Sequence, residues 1–296
     1  MPTDEFIAAD RPRELKFDEI GYWSELKLEI VRDYAKAYTT ALSKQGWCKS
    51  KVYVDAFAGA GTHVSRRSGE SVQGSPLNAL SVTPAFDHFF FVDLDSAKVD
   101  ELRRVAQERT DVDVFEGDCN RILLERVFPR ITFADFRRGL CLLDPYGLDL
   151  DWNVVRTAGQ MRTLDVFLNF PVMDMNRNVL WHNPEKVDAK QAARLTRYWG
   201  DDSWRKAAYR SDPDLFDSDR VAKVTDANEA VAAAFRERLR ATAGFANVPP
   251  PLPMRNSTGA TVYYLFFASQ KDLANSIVSH IFKKYAGRCV QPPDRS

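Results

Sequence analysis

Five times along this chain a short apolar run stops at an acid or an amide. Val52-Tyr53-Val54 ends in Asp55, and Phe89-Phe90-Phe91-Val92 ends in Asp93. Val112 to Phe115 leads into Gly117-Asp118, Leu140 to Leu143 ends in Asp144, and Val166-Phe167-Leu168 ends in Asn169. Uninterrupted β-forming runs suit strands buried on both faces, as in a parallel sheet covered by helices. Segments of helical periodicity separate these runs, so the expected class is α/β with a Rossmann-like sheet. Ligands in such sheets bind beyond the C-terminal strand ends. The polar groups therefore stand where a ligand is expected.

The first strand end carries more. Asp55-Ala56-Phe57-Ala58-Gly59-Ala60-Gly61 follows it. Gly59 and Gly61 allow a tight turn and close backbone approach. The spacing D-x-x-x-G-x-G departs from the dinucleotide pattern G-x-G-x-x-G. It is the form that class I methyltransferases use for S-adenosylmethionine, where the acid helps hold the cofactor's ammonium. The expected cofactor set is Asp55, Phe57, Gly59 and Gly61, with Asp93 accepting from ribose hydroxyls and Asp118 from the adenine amine. The competing reading is a plain left-handed turn. Asp95 and Asp118 also read as helix caps.

Composition narrows the class. The chain has 296 residues, 45% apolar and 28% charged, with 41 basic and 41 acidic side chains. Zero net charge gives no global attraction to nucleic acid, though a local basic face remains open. No apolar run is long enough to span a bilayer, and the acidic start shows no signal peptide; four cysteines read as free thiols, so a cytoplasmic protein is expected. Cys48, Cys119, Cys141 and Cys289 lack metal or redox spacing, and His63, His88, His182 and His280 are scattered. No metal site is expected.

Outside the repeat, Ser24 should cap a helix to Lys44, with Leu26, Ile30, Tyr34, Tyr38 and Leu42 on its buried stripe and Lys27 and Arg32 solvated. Residues 62–74 read as a loop whose Arg66 and Arg67 face a substrate, or as a solvated hairpin or loop tip. Ser75 should cap a helix with Pro76 at its first position. Residues 172–245 read as a helical insertion, with Trp199 and Trp204 closing a satellite core, Trp181 bordering the pocket mouth, and an acidic run at 212–219. Pro249 to Pro253 reads as a stiff connector. Residues 262–267 are a last strand and 272–285 a last helix, whose Lys283, Lys284 and Arg288 complement its dipole or meet a phosphate. The expected organisation is a core at 1–171, the insertion at 172–245, and a strand and helix at 246–296 completing the core.

Several longer motifs resemble one family. They are Asp-Ala-Phe-Ala-Gly-Ala-Gly (55–61), Gly-Ser-Pro-Leu-Asn-Ala-Leu (74–80), Leu-Asp-Pro-Tyr-Gly-Leu (143–148) with Trp152, Leu-Asn-Phe-Pro (168–171) and Met-Asn-Arg (175–177). Tyr-Trp-Gly-Asp-Asp-Ser-Trp (198–204) and Tyr-Tyr-Leu-Phe-Phe-Ala-Ser (263–269) also fit. From about residue 22 to 285 the chain resembles the three-Cys-motif partner proteins, a methyltransferase-like family. The resemblance implies a partner that carries a three-cysteine motif and is similar to radical S-adenosylmethionine enzymes. It does not supply a reaction.

Asp144-Pro145-Tyr146-Gly147 resembles the D/N-P-P-Y/F turn of methyltransferases that act on exocyclic amines, but lacks the second proline. There the first residue accepts from the amine and the aromatic ring stacks on an extruded base. The candidate catalytic residues are Asp144, Tyr146 and Asn169, with Phe170 as a second ring. The competing reading leaves Tyr146 as packing, since no general base stands out. Two functions follow: a methyltransferase acting on nucleic acid or a modified base, or an inactive S-adenosylmethionine-binding scaffold or sensor for the partner. A nucleotide-dependent dehydrogenase ranks third because the glycine spacing is wrong for a pyrophosphate.

Overall fold

The computed structural model describes residues 17–211 and 221–290. Its centre is a seven-stranded sheet of β1 (Ser50–Asp55), β2 (His88–Asp93), β3 (Val112–Glu116), β4 (Arg137–Leu143), β5 (Leu164–Phe170), β6 (Leu252–Arg255) and β7 (Thr261–Ala268). The strand order is β3-β2-β1-β4-β5-β7-β6. Here β7 runs antiparallel to both neighbours, while the β3 to β5 pairings are parallel. This is the Rossmann-like class I methyltransferase sheet. The chain winds outward from β1 in both directions, so a crevice opens between the C-terminal ends of β1 and β4.

Helices cover both faces: α1 (Tyr22–Ser43), α2 (Ser75–Leu80), α3 (Ser96–Val105), α4 (Cys119–Ile122), α5 (Trp152–Met161), α6 (Val172–Asn178), α7 (Ala189–Trp199), α8 (Trp204–Ala208), α9 (Ala227–Ala241) and α10 (Asp272–Tyr285). Alternate strand residues feed two cores. Tyr53, Phe89, Phe91, Leu140 and Phe267 pack with Leu26, Ile30 and Tyr34 of α1 and Val278 and Ile281 of α10. Val52, Val54, Phe90, Cys141 and Phe266 pack with Val154 and Val155 of α5, Leu195 and Trp199 of α7, and Phe235 of α9. Each such large apolar side chain contributes about 1.5–3 kcal/mol by leaving water. Burial on both faces explains why the strands read as continuous apolar runs rather than alternating ones.

Several expectations need correction. Lys27 is not solvated: it is 6% exposed, on the same stripe as Ile30, Val31, Tyr34 and Tyr38. α1 starts at Tyr22 with Gly21 as its cap residue, and α2 is preceded by Gly74, which leaves Ser75 inside the helix. The 62–74 segment is an antiparallel hairpin of Thr62–Ser65 with Ser71–Gln73, and Glu19–Ile20 adds to it in parallel. The Pro-rich connector is half strand. Leu252 and Met254 point inward as β6, and Pro253 is tolerated because β6 is an edge strand. Trp199 and Trp204 form no satellite core; both are 1% exposed and belong to the main core. Lys284 and Arg288 pair with Asp33 and Glu29 of α1 at 2.7 and 2.8 Å instead of waiting for a phosphate. The acidic run at 212–219 lies outside the described residues. No helix among the described residues is long and apolar enough to cross a membrane, and no grouping among them could hold a metal ion.

Candidate active site at the strand ends

The glycine turn sits on the crevice. Gly59 and Gly61 adopt φ of 64° and 81°, where a side chain is strained. The turn is pinned from three sides: Ala58 N–H donates to the Val92 carbonyl at 2.9 Å, Gly59 N–H to Asp93 Oδ2 at 2.7 Å, and Gly74 N–H to the Gly61 carbonyl at 2.7 Å. Asp93 is 7% exposed, and its Oδ1 accepts from the Asp95 N–H at 2.9 Å. Its carboxylate thus ties β2 to the glycine turn, while its remaining lone pairs stay available. Asp55 is fully buried; Oδ1 accepts from the Phe57 N–H at 3.3 Å and Oδ2 has no partner among the described residues. Burial pushes this carboxyl up to about 7; Ser75 and the Phe57 N–H oppose the rise, while Asp144 and Asp93 add to it. Asp118 is exposed and caps α4 through the Asn120 N–H at 3.0 Å. Asp95 caps α3. Leu94, beside Asp93, leaves 75% of its surface exposed at the β2 end.

A cavity of about 610 Å³ opens beside this turn. Phe57, Asp144, Tyr146 and Asn169 all line it, together with Ser75, Lys27, His63, Tyr263 and the Asp18–Ile20 segment. Asp55, Gly59, Gly61, Asp93 and Asp118 do not line it. The candidates therefore divide into a catalytic trio gathered in the cavity and a cofactor set gathered around the turn, with Asp118 apart.

The floor of the cavity is a polar chain. Lys27 Nζ donates to Asp144 Oδ2, and Asn169 Nδ2 donates to Asp144 Oδ1 at 2.9 Å. Because Asn169 spends its amide N–H on a carboxylate, its orientation is set and Oδ1 faces no partner among the described residues. The Tyr198 hydroxyl holds the Asn169 carbonyl at 3.0 Å, so α7 anchors the β5 end. Tyr146 leaves 60% of its surface exposed and meets Phe57 edge to face at 6.4 Å. Its hydroxyl donates to Asp18 Oδ2 at 3.3 Å, which Lys98 of α3 also holds at 2.6 Å.

Phe170 supplies no second ring: it is wholly buried against Tyr198, Trp199, Phe235 and Phe266. Trp181 does not line the cavity; Met173, Asp174 and Arg177 of α6 do. Arg66 reaches the cavity, whereas Arg67 lies over the Tyr22 ring at 5.3 Å. Two residues were missed. Lys27 shares the spacing of the buried α1 stripe, which was the available signal. His63 lies on the hairpin, roofing the glycine turn, with Nδ1 unpartnered and its pKa lowered by burial. Nothing in its sequence context marked it.

These groups fit an amino-acid-bearing cofactor. Asp55 Oδ2 is an orphaned buried acceptor of the kind an ammonium satisfies, and added Cβ atoms at Gly59 and Gly61 would stand 3.6 Å from His63 and 3.3 Å from Leu102. No protein-family model matches the chain, and no curated protein matches it. Among solved structures it is similar to a Legionella pneumophila protein at 10% identity, covering 87% of this chain and 90% of that one with a TM-score of 0.47. It is also similar to the DszA carbon methyltransferase at 13% identity, covering 82% and 54% with a TM-score of 0.42. A SAM-dependent methyltransferase of Leishmania major is similar at 9% identity, covering 84% and 82% with a TM-score of 0.35.

Proposed function

We propose that this chain transfers a methyl group from S-adenosylmethionine to an exocyclic amine of a nucleobase, in nucleic acid or a modified base, together with a three-Cys-motif partner similar to radical S-adenosylmethionine enzymes. The observation that carries the reading is the Lys27–Asp144–Asn169 chain at adjacent strand ends, beside the glycine turn and under an exposed tyrosine ring. Bound there, S-adenosylmethionine would supply an electrophilic methyl group for the amine lone pair, with the thioether as leaving group and the nitrogen's proton passing to solvent. Cofactor binding falls to Asp55 for the ammonium, to the Gly59–Gly61 backbone for close approach, and to Asp93 for the ribose hydroxyls. Leu94 offers an apolar surface to the adenine. Asn169 Oδ1 accepts one amine N–H, so the lone pair is localised and aimed; Asp144, held by Lys27, keeps the amide in that orientation. Tyr146 stacks on the base. The insertion at 172–245, which walls the cavity through Met173, Asp174 and Arg177 of α6, is the face we assign to the partner.

The second reading, a cofactor-binding scaffold that transfers nothing, is favoured by one feature: both Asp144 oxygens are already engaged. Labelled-methyl transfer to RNA, DNA and free nucleobases, with and without the partner, separates the two. Incorporation that falls in Asn169→Ala supports the methyltransferase. Tight cofactor binding without transfer to any acceptor establishes the scaffold.

A further inference from the structure

The far end of the sheet, at the N-terminal ends of β4 and β5, holds a second pocket of about 190 Å³. The second half of α1, the start of β5 and the start of α10 enclose it. It is smaller than the ~300–1,000 Å³ of sites for drug-sized ligands. Its exposed lining is mixed: Trp47 and Leu273 leave 41% and 61% of their surface exposed, beside Gln45, Arg162 and Lys271.

Its polar groups are unusual for a structural void. Asp165 accepts from the Tyr34 hydroxyl at 2.7 Å and makes no ion pair among the described residues; burial pushes its carboxyl up to about 7, with Tyr34 and the nearby Lys271 opposing the rise. Arg138 is 9% exposed and likewise has no ion-pair partner among them; its guanidinium lies between the Trp47 and Phe133 rings at 4.8 and 4.3 Å. Arg138 Nε, Tyr38 Oη and Thr163 Oγ1 find no hydrogen-bond partner among the described residues, although Tyr38 and Thr163 are 7% and 3% exposed. Burial pushes the Tyr38 hydroxyl pKa well up, Asp165 adds to the rise and Arg138 opposes it. A buried polar group left unpaired is destabilising. Several gathered round one pocket form a recognition set.

We propose that this pocket binds a small zwitterion with an apolar side chain, of the size of a hydrophobic amino acid. The ammonium pairs with Asp165, the carboxylate takes Arg138 Nε with the Tyr38 or Thr163 hydroxyl, and the side chain lies toward Trp47 and Leu273. A neutral apolar ligand would leave both charges unpaired, and a simple amine or acid would leave one.

The test is calorimetry with L-leucine, L-methionine and L-phenylalanine on the whole chain. 3-Methylbutylamine and 4-methylpentanoate serve as single-charge analogues of leucine. Saturable binding of one amino acid is expected, with each single-charge analogue of leucine weaker than leucine by at least roughly tenfold, about 1.4 kcal/mol. Asp165→Asn and Arg138→Gln should abolish it. Thr163→Val, which keeps shape, should weaken it in a protein that remains folded by circular dichroism. Because the cofactor site also suits an amino-acid group, the measurement is repeated in Gly59→Val, where binding should persist. No binding up to about 10 mM ligand, equal binding in folded Thr163→Val and Asp165→Asn, or loss in Gly59→Val each overturns the proposal. The last outcome would return the ligand to the strand-end site.

Discussion

Replacing Lys27 with methionine isolates the ion pair at the floor of the cavity. The Lys27 side chain is 7% exposed and that of Asp144 is 26% exposed. Removing one partner of a buried pair costs about 3–5 kcal/mol, because the other charge stays behind uncompensated. Asp144 still receives the Asn169 amide and touches water, which places the loss near the low end, about 3 kcal/mol. Methionine keeps the apolar stem, so cavity formation adds little. In Lys27→Met/Asp144→Asn the stranded charge is gone, and about 2 kcal/mol should return. Urea unfolding with a common m-value reads both differences. A Lys27→Met variant within about 0.5 kcal/mol of wild type, or a double variant no more stable than the single, would refute the reasoning that this pair is a desolvated charge pair.

Other outcomes follow from the same structure. Asp55 has a folded pKa of about 7 against an ordinary 3.8, so the native state holds the proton more tightly than the unfolded chain. Its contribution to stability is therefore full below about pH 4, falls as pH rises to about 7, and is absent above, by at most about 4 kcal/mol. Asp55→Asn should flatten that part of the stability profile; an unchanged slope contradicts it. Asp93→Ala strands the Gly59 and Asp95 N–H groups, so a loss of about 2 kcal/mol is expected in urea unfolding without any ligand, and a loss under 0.5 would deny the bracing role. Tyr146→Ala should leave stability within about 0.5 kcal/mol of wild type, since the residue is 60% exposed. If labelled methyl is transferred, the same variant should lower kcat/KM by about 1–3 kcal/mol of lost stacking while cofactor affinity holds; full activity returns Tyr146 to packing.

The parallel strands were legible because burial on both faces leaves uninterrupted apolar runs, and their polar terminators marked the ligand edge. Asp144, Tyr146 and Asn169 could be grouped from strand order alone. β6 was hidden because its Pro253 argues against a central strand, and only its place at the sheet edge makes it tolerable. Phe170 read as an available ring, and Trp199 as part of a separate small core, because a sequence does not say which side of a strand end the following helices cover. Here α7 and α9 close over them. Lys27 was misread as solvent-facing because charge outweighed its position on the buried stripe, and the acid that compensates it lies 117 residues away. His63 and the Asp18–Tyr146–Lys98 contact depend on a hairpin folding back over the turn, a long-range event without a local signature.

The most direct test of the central claim is isothermal calorimetry with S-adenosylmethionine, run beside NAD, on wild type and Gly59→Val. Gly59 has φ of 64° and packs under His63, so a β-branched side chain there distorts the turn without entering either core. Saturable S-adenosylmethionine binding by wild type, none by a folded Gly59→Val, and none of NAD by either is the predicted result. Equal S-adenosylmethionine affinity in both proteins, or tighter binding of NAD, would contradict it.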